Sequence, residues 1–149
     1  MAYNYSYLSI IAAWAVAITC HPIGVLTINL SGTNAKFDNA NPRNQWDKLK
    51  AKLPNDVYAK AQRSHAAASN GLEALGYWGL AVLAANQASV PVDTINKHAL
   101  VFLALRVVYN VLYINISSLR MSSFRSAVWG LGIATTTSLL WKASQALNV

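Results

Sequence analysis

No charged side chain occurs before Lys36, and within that stretch the run from Tyr7 to Leu30 has the length and apolar character a helix needs to cross a bilayer, about 20 residues. Tyr3, Tyr5 and Tyr7 lead into it in the manner of an interfacial aromatic belt. A cleaved signal peptide is the competing reading. It is disfavoured because no basic segment precedes the run and because the run exceeds the roughly 7 to 15 apolar residues of a signal. Pro22 is expected to kink this helix without ending it, since neighbouring helices can satisfy the carbonyl it frees.

Three further runs follow. Ala74 to Val92 is uncharged and extends upstream through Ala66 to Ser69, Ala99 to Leu119 is interrupted only by Arg106, and Ser126 to Trp141 is followed by Lys142. Pro54-Asn55 and Pro91 punctuate the second run, so the expected spans are about 7–30, 57–90, 94–117 and 122–145, with a loop over 31–56. Charged residues make up 11% of the chain, against roughly 25% in soluble domains, which excludes disorder and a polar surface. The expected fold class is therefore all-α, an integral membrane four-helix bundle formed by a single domain over 1–149.

A net charge of +7 could in principle mark a nucleic-acid binder, but position decides otherwise. Lys36, Arg43, Lys48, Lys50, Lys52, Lys60, Arg63, Arg120 and Arg125 lie at one side of the expected spans, and only Lys97 and Lys142 at the other. The positive-inside rule then places both termini in the lumen or exterior and the basic loops in the cytoplasm, and no nucleic-acid partner is expected. No Gly-rich phosphate loop, His-Glu-x-x-His motif or nucleophile elbow occurs. The single Cys20 reads as packing, and His21, His65 and His98 are scattered without carboxylates at ligand spacing, so no metal is expected; His65 borders the polar stripe of the second helix. The five tryptophans, Trp14, Trp46, Trp78, Trp129 and Trp141, read as lipid-facing or interfacial anchors.

Polar residues inside spans are expensive and tend to face the bundle interior. Asn70 and Glu73 share one face of the second helix, extended by Arg63 and Tyr77, and Arg106, Tyr109, Asn110 and Tyr113 share one side of the third. A structural reading has Glu73 and Arg106 pair to staple the helices, whereas a functional one makes these faces a ligand pocket. Arg120 and Arg125 open the fourth span, where Arg120 suits snorkelling and Arg125 could complete an anion-binding cluster with Arg63 and Arg106.

The segments Asn70-Gly71-Leu72-Glu73-Ala74, Ala104 to Tyr113, and Phe124-Arg125-Ser126-Ala127-Val128-Trp129 resemble, in that order, three helix motifs of the membrane-associated proteins in eicosanoid and glutathione metabolism, the MAPEG family. Asp38 to Arg43 is similar to loops of its less characterised microbial and fungal branch. The resemblance implies a homotrimer with glutathione bound between subunits near the cytoplasmic face and, in a eukaryote, an endoplasmic reticulum membrane. It implies that Asn70 and Glu73 hold the peptide's polar groups, Tyr109 and Tyr113 line its bed, Arg106 and Arg63 meet its carboxylates and Arg125 stabilises the thiolate. Gly71, Gly76 and Gly79 would allow close subunit contact. Where the family usually has an Arg this chain has Ala66, and a longer segment after Tyr113 makes Arg120 a rival for the thiolate role.

Three functions follow as expectations. The first is a glutathione transferase acting on a lipophilic electrophile from the bilayer, in which a guanidinium favours the attacking thiolate. The second is an isomerase or cyclase of a hydrophobic metabolite, with Tyr109, Tyr113 or Glu73 as acid and base. The third is a non-catalytic lipid-binding scaffold.

Overall fold

Proline acts on the helical turn before it, and the first apolar passage shows the result. In a computed structural model that describes residues 3–147, the passage forms two successive helices, α1 (Ser6–Ile18) and α2 (Cys20–Asn29), parted at Thr19. Pro22 has no N–H for the Ile18 carbonyl, so the ladder opens one turn earlier, while Thr19 keeps helical angles (φ −61°, ψ −22°) and its amide still donates to Ala15 O at 3.1 Å. The helix is interrupted one turn before Pro22, and the passage continues beyond the interruption to Asn29.

The loop that follows is ordered by its own side chains. Gln45 is buried and exchanges hydrogen bonds with the Asp38 backbone, accepting from Asp38 N at 2.7 Å and donating to Asp38 O at 2.8 Å. The Asp38 carboxylate accepts from Ala40 N, Asn41 N and Asn41 Nδ2. These bonds hold its carboxyl below the ordinary value of 3.8. A short helix, α3 (Trp46–Lys50), closes the loop and buries Leu49 against Ile28, Leu53 and Ala61.

Helix α4 (Asn55–Gln87) is 33 residues, about 50 Å at 1.5 Å per residue, which is longer than the ~30 Å hydrocarbon core. It starts two residues before the expected span because Pro54, at φ −55° and ψ 143°, turns the chain directly into the helix. It ends before Pro91 because Ser89 adopts φ 55° and Val90 N reaches back to Ala85 O at 3.0 Å, a Schellman closure. Helix α5 (Val92–Asn115) and helix α6 (Leu119–Ala146) follow, and the Ser118 hydroxyl caps α6 by accepting from Met121 N. Ser6–Asn29 (mean hydropathy 1.8) and Val92–Asn115 (1.4) are long and apolar enough to cross a membrane.

Helix α4 packs against α1, α2, α5 and α6, so the long helices share one interior. Trp78 sits at its centre, fully buried and stacked on Phe102 with centroids 4.3 Å apart and planes 7° from parallel, and its indole N–H donates to Ser9 Oγ at 3.0 Å. The expectation that Trp78 anchors at the lipid is thereby corrected. Its buried N–H needs an acceptor, and Ser9 on α1 supplies one. Trp14, Trp129 and Trp141 are exposed, while Trp46 lies against Tyr58 and His65 under the loop. Where α1 crosses α4, a Cβ on Gly71 would come within 2.5 Å of Ala17 Cβ, so only glycine admits this contact.

Candidate functional site

The polar faces of α4 and α5 meet at Arg106 and Asn70. Arg106 is 5% exposed, and both of its terminal nitrogens donate to Asn70 Oδ1, at 3.4 and 3.3 Å. Its guanidinium also lies over the Tyr109 ring at 4.7 Å from the centroid. Among the described residues no carboxylate pairs with it. Glu73 is exposed, and the Glu73–Arg106 staple of the structural alternative is not formed. The reason is register: Asn70 takes the position facing Arg106, and Glu73 stands nearly one turn further along α4.

From Arg106 the aromatic side of α5 continues outward. The rings of Tyr109 and Tyr113 lie 5.4 Å apart, and the guanidinium of Arg125, from α6, stands 4.2 Å over the Tyr113 ring. The chain Asn70, Arg106, Tyr109, Tyr113, Arg125 is therefore contiguous, built from three helices and bracketed by two cations. Arg120, the rival to Arg125, is exposed in the first turn of α6, away from these ring contacts. Arg63 is half-buried and its Nε donates to Ile114 O at 3.0 Å, placing a positive charge on the last carbonyls of α5. Nothing in the sequence pattern pointed to that capping role.

Two groupings differ from the sequence reading. Asn110 does not join Arg106, Tyr109 and Tyr113; its amide nitrogen donates across to Val16 O on α1 at 3.0 Å. His65 does not border the polar stripe either. It lies beneath the loop with its ring 6.0 Å from His21 and 5.5 Å from Trp46, so two of the three histidines come together. Among the described residues no group of His, Cys, Asp and Glu has the makings of a metal site. A polar cluster at the opposite end of the helices also escaped the sequence reading. Asn86 donates to Ser6 Oγ at 3.0 Å and accepts from Asn4 Nδ2 at 2.7 Å, and Asn96 donates to Tyr3 O at 2.8 Å, tying the first residues to the α4–α5 turn. Its only signal was a pair of asparagines flanking Pro91.

Against models of known families, the chain matches the one described as the MAPEG family over residues 7–144. This chain belongs to the MAPEG family. No curated protein and no solved structure matches it. MAPEG proteins are membrane-associated, include glutathione transferases and related enzymes, and generally use glutathione. The matched residues of this MAPEG chain include both tyrosines, Asn70, Glu73 and all the arginines named above.

Proposed function

We propose that this chain is a membrane-embedded, glutathione-dependent transferase acting on lipophilic electrophiles, assembled as a homotrimer of four-helix protomers with lumenal termini and a cytoplasmic loop, in the endoplasmic reticulum of a eukaryotic host. The observation that carries the reading is the Arg106 guanidinium, desolvated yet held, among the described residues, by the neutral oxygen of Asn70 and the face of Tyr109. A buried cation without an anion is unfavourable, so the site favours an anionic occupant. Glutathione complements the available charges: two carboxylates and a thiolate against Arg106, Arg63 and Arg125, and one ammonium against the exposed carboxylate of Glu73.

Bound there, glutathione supplies a thiol nucleophile. In this reading Arg106, assisted by Arg63, holds carboxylate, Asn70 and Glu73 hold the peptide's polar groups, and Tyr109 and Tyr113 form the bed on which it lies. Arg125 stabilises the thiolate that remains when the thiol proton leaves to solvent. Free thiols titrate near ~8.5, so a fixed guanidinium at the sulfur raises the thiolate fraction at neutral pH. The thiolate then bonds to the electrophilic carbon as the leaving group departs with its electron pair. Arg suits the task because it stays charged when partly desolvated.

One observation favours a second reading. Ala66 brings no cation to α4, and the Arg63 Nε that might substitute is already bonded to Ile114 O. An isomerase or cyclase that returns glutathione unchanged, or works without it through Tyr109, Tyr113 or Glu73, needs fewer carboxylate contacts. The test is calorimetric titration of the purified protein with glutathione, followed by conjugation of a chlorinated nitrobenzene. Saturable binding with stoichiometric loss of glutathione supports the transferase. Binding without consumption moves the assignment to the isomerase, and absence of binding removes glutathione from both.

A further inference from the structure

Between the interruption of the first passage and α5 lies a cavity of about 290 Å³ that none of Arg106, Tyr109, Tyr113 and Arg125 lines. Val16, Ile23, Val107, Val111 and Ile114 make most of its wall apolar. Asn110 also lines it and is 7% exposed; its Nδ2 is bonded to Val16 O, and its Oδ1 is buried with no hydrogen-bond partner. The neighbouring donors on the first passage and α5 are already engaged. The Thr19 hydroxyl and the Cys20 thiol both turn to Val16 O, and the Asn115 amide turns to Val111 O. A buried acceptor of this kind is costly until a donor reaches it. Lys60, from the first turns of α4, lines the same cavity, half-buried and without an ion pair among the described residues.

We propose that this cavity binds a single-chain anionic amphiphile bearing a hydroxyl beside its headgroup, of which a lysophosphatidate is the simplest. The hydroxyl donates to Asn110 Oδ1, the phosphate meets Lys60, and the chain runs along Val16, Val107 and Val111. A volume near the lower end of small-molecule sites admits a headgroup and the first methylenes of one chain. The remainder of the chain passes into the bilayer over Val107 and Val111, which are 48% and 56% exposed. The site is distinct from the proposed glutathione site, because none of Arg106, Tyr109, Tyr113 and Arg125 lines it, and it adjoins that site only through Ile114, whose carbonyl accepts from Arg63.

The experiment is equilibrium binding of radiolabelled 1-oleoyl lysophosphatidate to the protein in phosphatidylcholine nanodiscs. One saturable site per chain is expected. The 2-deoxy analogue should compete about three- to tenfold less well, the effect of one hydrogen bond. Lys60→Gln should weaken binding, and Val107→Trp, which fills the space, should abolish it while glutathione titrates as in the wild type. Non-saturable uptake, equal competition by the 2-deoxy analogue, or unchanged affinity in Lys60→Gln or Val107→Trp each overturns the proposal. The analogue comparison uses the wild-type chain, so it decides the matter even where a variant misfolds.

Discussion

Arg106 and Arg125 are both stacked on tyrosines, yet in the proposed site they have different work. Arg106 lies between α4 and α5 with 5% of its surface exposed, which suits it to holding a fixed carboxylate, whereas Arg125 reaches Tyr113 from a half-exposed position at the start of α6, where in the proposed reaction it meets the incoming sulfur. Arg125→Ala should therefore lower turnover about 10² to 10³-fold, as for loss of one preorganised donor to a developing charge, while glutathione binding falls far less. Ultraviolet absorbance of the bound thiolate checks this; a signal kept in Arg125→Ala and lost in Arg120→Ala would transfer the role to Arg120. Asp38 gives a second prediction at this scale. Its folded carboxyl titrates below 3.8, so its bonds to Ala40 and Asn41 contribute in full above that value and are lost as pH falls through the lowered one. The Ala40 amide resonance, followed by nuclear magnetic resonance, should titrate with a midpoint under 3.8; a midpoint at or above it would contradict the assignment. Residue types and spacing sufficed to pick out Asn70, Arg106, Tyr109 and Tyr113 as polar intruders in apolar helices. They did not show which partner each chose, because a helical face about 100° wide leaves Asn110 free to turn to α1 and Glu73 free to face outward.

At the scale of elements, the long apolar runs and their prolines made the helices visible before any coordinates, since hydropathy and the missing proline N–H act locally. The inner and outer sides of those helices were far less legible. In a lipid-facing protein both sides are apolar, so Trp78 at the centre and Trp14 at the surface look alike in sequence. What separates them is the Ser9 acceptor opposite Trp78, a contact 69 residues distant along the chain. The turn between α4 and α5 carries a testable cost. Ser89 holds φ 55° to close the Schellman turn, a conformation L-residues resist and glycine does not. Ser89→Gly should stabilise the protein by about 0.5 to 1 kcal/mol, the relief of strain being partly offset by the flexibility of glycine in the unfolded chain. Thermal unfolding in detergent reads this as a higher midpoint; a lower one would mean that the serine side chain contributes something the backbone angle does not reveal.

For the whole molecule, Gly71 and Gly76 show how one residue type serves two purposes. Gly71 is consumed by the contact with Ala17 inside the protomer, whereas a Cβ on Gly76 or on Gly79 would meet no atom within 4 Å. In the proposed trimer those two glycines lie at the seam between subunits, and the detergent-corrected mass should equal three chains; a mass of one or two chains would refute the assembly. In the proposed four-span arrangement, the pairing of Arg106 with Asn70 also bears on how the protein comes to be made. A central arginine opposes insertion of an isolated segment by roughly 2.5 to 3.5 kcal/mol, so α5 is a poor substrate for the translocon when it arrives alone. Only Ala88 to Pro91 separates it from α4, and α4, synthesised first, already carries the oxygen that receives the guanidinium. The two segments should thus leave the translocon as a hairpin. With a glycosylation reporter, α5 alone should integrate less efficiently than the α4–α5 pair, and Asn70→Leu should remove part of the advantage. In the proposed four-span topology, the third crossing of the nascent chain is conditional on the second.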